Sequence, residues 1–151
     1  MNKLVLAAAL ATTLAGPTLA QSVGEKTGVS SALGITPKTE GFIKEAATSD
    51  MLEIDAAKIA QQKGNANEKT LAGQMITDHT KTSNELKDLV PADMKSAIPT
   101  ALDDSSQKKL DKLRDTSEQS FPSEYDSMQV SAHKDAVSLF ERYAKAATTR
   151  S

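Results

Sequence analysis

The sequence predicts an all-α protein: an antiparallel bundle of three long or medium helices and one short helix, preceded by a signal peptide. Three observations carry that reading. Apolar residues recur at three- and four-residue intervals over long stretches, no stretch alternates with a period of two, and Gly64, Pro91 and Ser117–Ser120 interrupt the pattern where helices would stop or start. No internal repeat is convincing.

The first twenty residues read as a secretory signal. Lys3 supplies the positive start, Leu4–Ala15 is an almost unbroken apolar run, and Thr18-Leu19-Ala20 places small residues before a cleavage point expected after Ala20. The run is shorter than the roughly 20 apolar residues of a membrane anchor. Residues 21–35 form a flexible leader, residues 36–147 the helical domain and residues 148–151 a frayed tail. The expected location is the periplasm or cell envelope, with no transmembrane segment after cleavage.

Thr36 and Pro37 offer an N-cap and a first helical residue for a helix ending at Gly64. Its inner stripe reads Ile43, Ala47, Asp50, Ile54 and Ala57, with Glu53 beside it. After a turn at Asn65–Asn67, a second helix runs to Val90, with Ala72, Met75, His79, Thr82, Leu86 and Leu89 on its seam. So short a turn makes the two helices antiparallel neighbours. At about 1.5 Å of rise per residue, Asp50, Glu53, Asp78 and His79 then fall near one height. Residues 91–104 read as a loop. Asp104 or Ser105 caps a short helix to about Arg114, held by Leu110 and Leu113. The last long helix starts at Ser120-Phe121-Pro122 and carries Tyr125, Gln129, Ala132/His133, Ala136, Phe140 and Tyr143 on one side.

Composition narrows the function. The chain has no cysteine, which excludes disulfides, thiolate metal sites and a cysteine nucleophile. Cleavage removes Lys3 and leaves 17 basic against 20 acidic residues, interspersed and with few aromatics, so nucleic acid is not an expected partner. From Gln21 onward, Leu, Ile, Val and Phe make up 23 of 131 residues, about 18%. So thin a core fits close-packed helices assisted by a partner or a bound ion. There is no G-x-S-x-G elbow and no Gly-rich phosphate loop.

One constellation carries possible chemistry. Inward carboxylates and histidines on facing helices build the metal sites of helical bundles. A di-iron pattern would place Glu three residues before each histidine, whereas Ile76 and Val130 stand there. The candidate ligands, His79, His133, Glu53 and Asp50, therefore suit a single divalent ion such as zinc, iron or manganese. The alternative is that His79 hydrogen-bonds a carboxylate or hydroxyl on a neighbouring helix and fixes its register. Tyr125 and Tyr143 read as core aromatics whose hydroxyls reach the rim.

Several segments together resemble a known family. They are F-I-K-E-A-A-T-S-D-M-L-E-I at Phe42–Ile54, Q-M-I-T-D-H-T-K at Gln74–Lys81, F-P-S-E-Y at Phe121–Tyr125 and Q-V-S-A-H-K-D-A-V-S-L-F at Gln129–Phe140. The most specific pieces are M-x-x-D-H, here Met75, Asp78 and His79, and Q-x-x-x-H, here Gln129 and His133. These are similar to the exported bacterial family called domain of unknown function 4142. The resemblance implies a ferritin-like four-helix architecture and an envelope location, and it implies no settled activity. Members of that family usually continue into a further helix, whereas this sequence ends at Ser151. The bundle is then expected to have an open face, and a homodimer through that face follows. Two functions fit: a non-catalytic binding, structural or stress-associated module, and a ferritin-like metal binder or oxidase.

Overall fold

A computed structural model of the chain describes residues 38–148; the expected signal peptide, the whole leader, residues 36–37 and residues 149–151 lie outside the described residues. Within them the protein is all-α: α1 (Thr39–Lys63), α2 (Ala66–Leu89), a 3-10 turn (Ala92–Ala97), α3 (Asp104–Asp115) and α4 (Phe121–Thr148). No strand occurs among the described residues. No helix among them is long and apolar enough to cross a membrane.

The chain runs down, up, down, up. The tight turn at Gly64 and Asn65 folds α2 back along α1. Tyr143 Oη donates to Thr39 Oγ1 at 3.1 Å at one end of α4, and Lys63 Nζ lies 5.7 Å from the Phe121 ring at the other, so α4 is also antiparallel to α1. Lys63 further donates to the carbonyls of Arg114 and Thr116 at the end of α3. That places a cation where the helix leaves its last carbonyls unsatisfied.

α1 is the helix all others pack on. Its buried residues are Ile43, Ala46, Ala47, Leu52, Glu53, Ala56, Ala57, Ile59 and Ala60, a wider face than one stripe supplies. Ala56, Ala57, Ala60 and Ala72 are fully buried, and their size lets the backbones approach closely. Bulk comes from Leu110, Leu113, Phe121 and Tyr125, also fully buried. Each such side chain contributes roughly 1.5–3 kcal/mol on leaving water. Because α3 is half the length of its neighbours, the upper part of α1 stays uncovered on that side. A cleft of about 520 Å³ opens there, between Lys44, Ser49, Leu52, Asp103, Ala132 and Leu139.

Several sequence expectations need correction. Lys38 is extended and acts as the N-cap of α1, so the helix begins at Thr39 and not at Pro37, which with Thr36 lies outside the described residues. The first helical hydrogen bond runs from Phe42 N to Lys38 O. Ile54 is only partly buried, because the inner face is centred on Leu52, Glu53, Ala56 and Ala57. Leu89 is 81% exposed, and Val90, the next residue, is buried in its place. Phe140 is exposed on α4 and Leu139 takes the inner position. Residues 92–97 form a 3-10 turn within the expected loop. Asp103, not Asp104 or Ser105, caps α3, accepting from the Ser106 N–H at 2.7 Å. Burial alone would raise the Asp103 pKa. The Ser106 N–H and Ser105 hydroxyl outweigh it and hold this carboxyl below its usual value.

The turn between α1 and α2 is built by two devices. Asn65 accepts from the N–H groups of Asn67 and Glu68 while Glu68 accepts from Asn65 N at 2.7 Å, a complete capping box. Gly64 itself has ordinary extended dihedrals, so a left-handed cap is not what requires glycine. A Cβ there would sit 2.6 Å from Ala60 O and 2.7 Å from Glu68 Cβ. Gly64→Ala should therefore lower stability by about 1–3 kcal/mol through steric overlap, read as a reduced midpoint in urea with an unchanged slope. An unchanged midpoint would show that the turn has room to spare.

Candidate metal centre

Glu53 stands in the middle of the packed face of α1 and is 1% exposed. Its position follows from helical spacing alone: Ser49 lies one turn before it and Ala56 and Ala57 one turn after, all on the inner side. Ser49 Oγ donates to Glu53 Oε1 at 3.0 Å. Oε2 accepts no hydrogen bond. Two imidazoles converge on it instead, with His79 Nε2 at 3.2 Å from α2 and His133 Nδ1 at 3.3 Å from α4. Neither contact is aligned as a hydrogen bond.

Asp50, one turn above Glu53, organises the other side of His79. Its Oδ1 lies 2.8 Å from His79 Nδ1, while Thr82 Oγ1 and Ser83 Oγ donate to Oδ2 at 2.9 and 3.1 Å. The His79 ring is thereby fixed with Nδ1–H on Asp50 and Nε2 toward Glu53. His133 Nδ1 lies 2.9 Å from the Gln129 carbonyl, one turn back on the same helix. With Nδ1–H donated to that carbonyl, Nε2 keeps its lone pair. The two rings meet edge to face, with centroids 5.7 Å apart.

Of the residues singled out in the sequence, Asp50, Glu53, His79 and His133 come together. Asp78 does not: it is exposed and makes no hydrogen bond or ion pair with them, because its neighbour His79 takes the inward position. Met75 is buried in the core cluster one turn before His79. Gln129 is 6% exposed, and neither its Nε2 nor its Oε1 has a partner. Tyr125 does not reach the rim; its hydroxyl is buried and unpartnered too. The supporting hydroxyls of Ser49, Thr82 and Ser83 escape a search for ligand residues. Their signal is positional: each lies three or four residues from Glu53 or His79 on the same helix.

One ligand atom from each of Glu53, His79 and His133 lies within 4.8 Å of the other two. Two imidazoles and one carboxylate are a donor set that zinc and iron(II) both accept. Metal–ligand distances of about 2.0–2.1 Å imply tetrahedral edges of about 3.3 Å. The 3.2 Å contact of His79 Nε2 with Oε2 matches that spacing. The outer arrangement also fits, since imidazole ligands commonly donate their second N–H to a carboxylate or a backbone carbonyl.

A family model described as a domain of unknown function (DUF4142) matches residues 24–151. No curated protein and no solved structure matches the chain.

In the absence of metal the site is a proton trap. The hydrogen bond to Asp50, then the close contact with Glu53 and both negative charges, outweigh burial and raise the His79 pKa from 6.5 to about 10. A raised folded-state pKa stabilises the protein fully below about pH 6.5, and the contribution fades as pH rises toward about 10. Chelator-treated protein should therefore show His79 ring resonances of the imidazolium form beyond pH 8 by NMR. Asp50→Asn should move that titration down toward 6.5. A wild-type midpoint near 6.5 would show that the two carboxylates do not hold the proton.

Proposed function

The chain belongs to the DUF4142 family, and from that premise we propose that it is an exported helical-bundle module that binds one divalent transition-metal ion. Glu53, His79 and His133 are the ligands, and Asp50 orients His79 from outside. The observation that carries this reading is the buried Glu53 Oε2 faced by two imidazole nitrogens and no hydrogen bond. A carboxylate oxygen shut away from water with no donor costs stability unless a cation meets it. The signal-peptide pattern of residues 1–20 supports export. A ferritin-like ancestry remains part of the proposal, in a one-metal version.

The roles follow from the chemistry of the side chains. Glu53 supplies charge, His79 and His133 supply nitrogen donors, and Asp50 holds the His79 tautomer with Nε2 as the binding atom. Ion uptake displaces the proton on His79 Nε2, so affinity should climb with pH. Protein purified without chelator should carry close to one equivalent of zinc, iron or manganese by mass spectrometry. Glu53→Ala, His79→Ala and His133→Ala should each abolish binding, and Asp50→Ala should weaken it about 10–100-fold. Full binding by the His79 and His133 variants would leave the histidines with a structural role only. His79→Ala would then act through stability alone, at roughly 1–3 kcal/mol for the partners left unpaired.

A second reading concerns assembly. Val130, Val137 and Phe140 are 54%, 57% and 53% exposed, and with His133 they line α4 at alternating three- and four-residue steps. That spacing is the seam of a paired helix. Lys134 and Glu141 flank it with opposite charges, which an antiparallel second copy of α4 brings face to face. We propose a homodimer through this stripe. Val137→Ser with Phe140→Ser should halve the mass measured by light scattering at high micromolar concentration. A wild-type monomer under those conditions would remove this reading.

A further inference from the structure

The described residues contain four buried side-chain atoms without hydrogen-bond partners: Glu53 Oε2, Tyr125 Oη, and Gln129 Nε2 and Oε1. All four lie on the buried sides of α1 and α4, which face each other, and the Glu53 charge acts on the Tyr125 phenol. Tyr125, Gln129 and His133 stand on successive turns of α4, on the side that meets α1 at Glu53. Tyr125 is fully buried and Gln129 is 6% exposed, so bulk water does not serve them. Native proteins rarely leave such atoms unserved, and a cluster of them points to a polar occupant.

The donor and acceptor types say which one. Gln129 Nε2 and Tyr125 Oη donate, and the phenol keeps its proton: burial first, and the Glu53 charge next, push its pKa up to about 12. Gln129 Oε1 accepts. Only a molecule that both accepts and donates satisfies all three, and water is the smallest that does. Three protein ligands leave a fourth position on a tetrahedral ion, which in open sites is taken by an oxygen ligand.

We infer that Gln129 and Tyr125 form a buried pocket for a water ligand of the metal ion held by Glu53, His79 and His133, so the inference rests on the metal reading above. The Q-x-x-x-H pattern then has a physical sense. His133 binds the ion through its side chain, and Gln129 supports it twice, with its carbonyl on the His133 ring and its amide on the water.

The test compares cobalt(II) affinity, read from visible absorption, in wild type, Gln129→Met, Tyr125→Phe and Tyr143→Phe, with thermal melts of each metal-free chain. The first two substitutions should weaken cobalt(II) by about tenfold or more, as loss of outer support does. Because these atoms lack protein partners, neither change should lower the metal-free melting temperature. Tyr143→Phe loses the bond to Thr39 at the far end of α4 and should leave affinity unchanged. Wild-type affinity in both Gln129→Met and Tyr125→Phe overturns the inference. So does a large fall in their metal-free melting temperatures, which would make the residues structural. Should Gln129→Met fail to fold, Tyr125→Phe, which removes a single oxygen, decides alone. A wild-type chain that binds no cobalt(II) overturns the metal reading itself, and that outcome is distinct from binding that ignores the substitutions. A crystal structure with zinc should place one oxygen within hydrogen-bond distance of both Gln129 and Tyr125.

Discussion

A carboxylate buried at the centre of the helix on which the other described helices pack is the constraint on which this fold depends. Glu53 cannot keep its charge in a low-dielectric interior without cations close by. The nearest basic groups are the imidazoles brought by α2 and α4. The two long partners of α1 are therefore locked in register by chemistry as well as by packing. A slide of one turn along α1 would move His79 about 5.4 Å from Glu53 and Asp50. It would also part Asp50 from the hydroxyls of Thr82 and Ser83.

The apolar core leans on that lock because it is built largely from small residues. Alanines on α1 and α2 give close approach but little area per residue, and the bulky residues gather at the lower end, around Leu110, Leu113, Phe121 and Tyr125. Toward the upper end, where α3 is missing, the polar cluster and the Phe42–Tyr143 stack hold the helices instead. The centroids of that stack are 4.0 Å apart, and Phe140 meets the Phe42 ring edge-on at 5.0 Å. The two halves of the bundle are thus stabilised by different physics, apolar below and charge-paired with aromatics above.

Much of this was legible in the sequence, and the parts that were not share a cause. Helical periodicity, the stop at Gly64 and the antiparallel pairing of the first two helices follow from local rules that tertiary structure did not override. Spacing also brought Asp50, Glu53 and His79 to one level. The errors came where a helix meets more than one neighbour. A single stripe misplaced Ile54 because α1 is covered on several sides. The same assumption put Phe140 inside, where Leu139 belongs. Asp78 looked like a member of the cluster because it adjoins His79, yet consecutive helical residues point about 100° apart. The reason for Gly64 was legible only in three dimensions, since the obstacle to a side chain is Glu68 on the next helix and the Ala60 carbonyl.

Charge counting explains why the cluster suits an ion better than the proton it holds without one. Asp50 and Glu53 together bring two negative charges, and a protonated His79 returns one, leaving an excess negative charge beside the core. A divalent cation with neutral histidines cancels both. Protonation also serves the two carboxylates unequally: His79 makes an aligned bond at 2.8 Å to Asp50 but only a misaligned contact to Glu53. The unserved atom is Oε2, and His133 faces that same atom from the other helix without bonding to it. Were the cluster made only to fix helix register, one histidine bridging Asp50 and Glu53 would suffice, whereas the half-exposed His133 faces Oε2 without adding a hydrogen bond to it. Its presence there supports the proposed coordination site over a simple register lock.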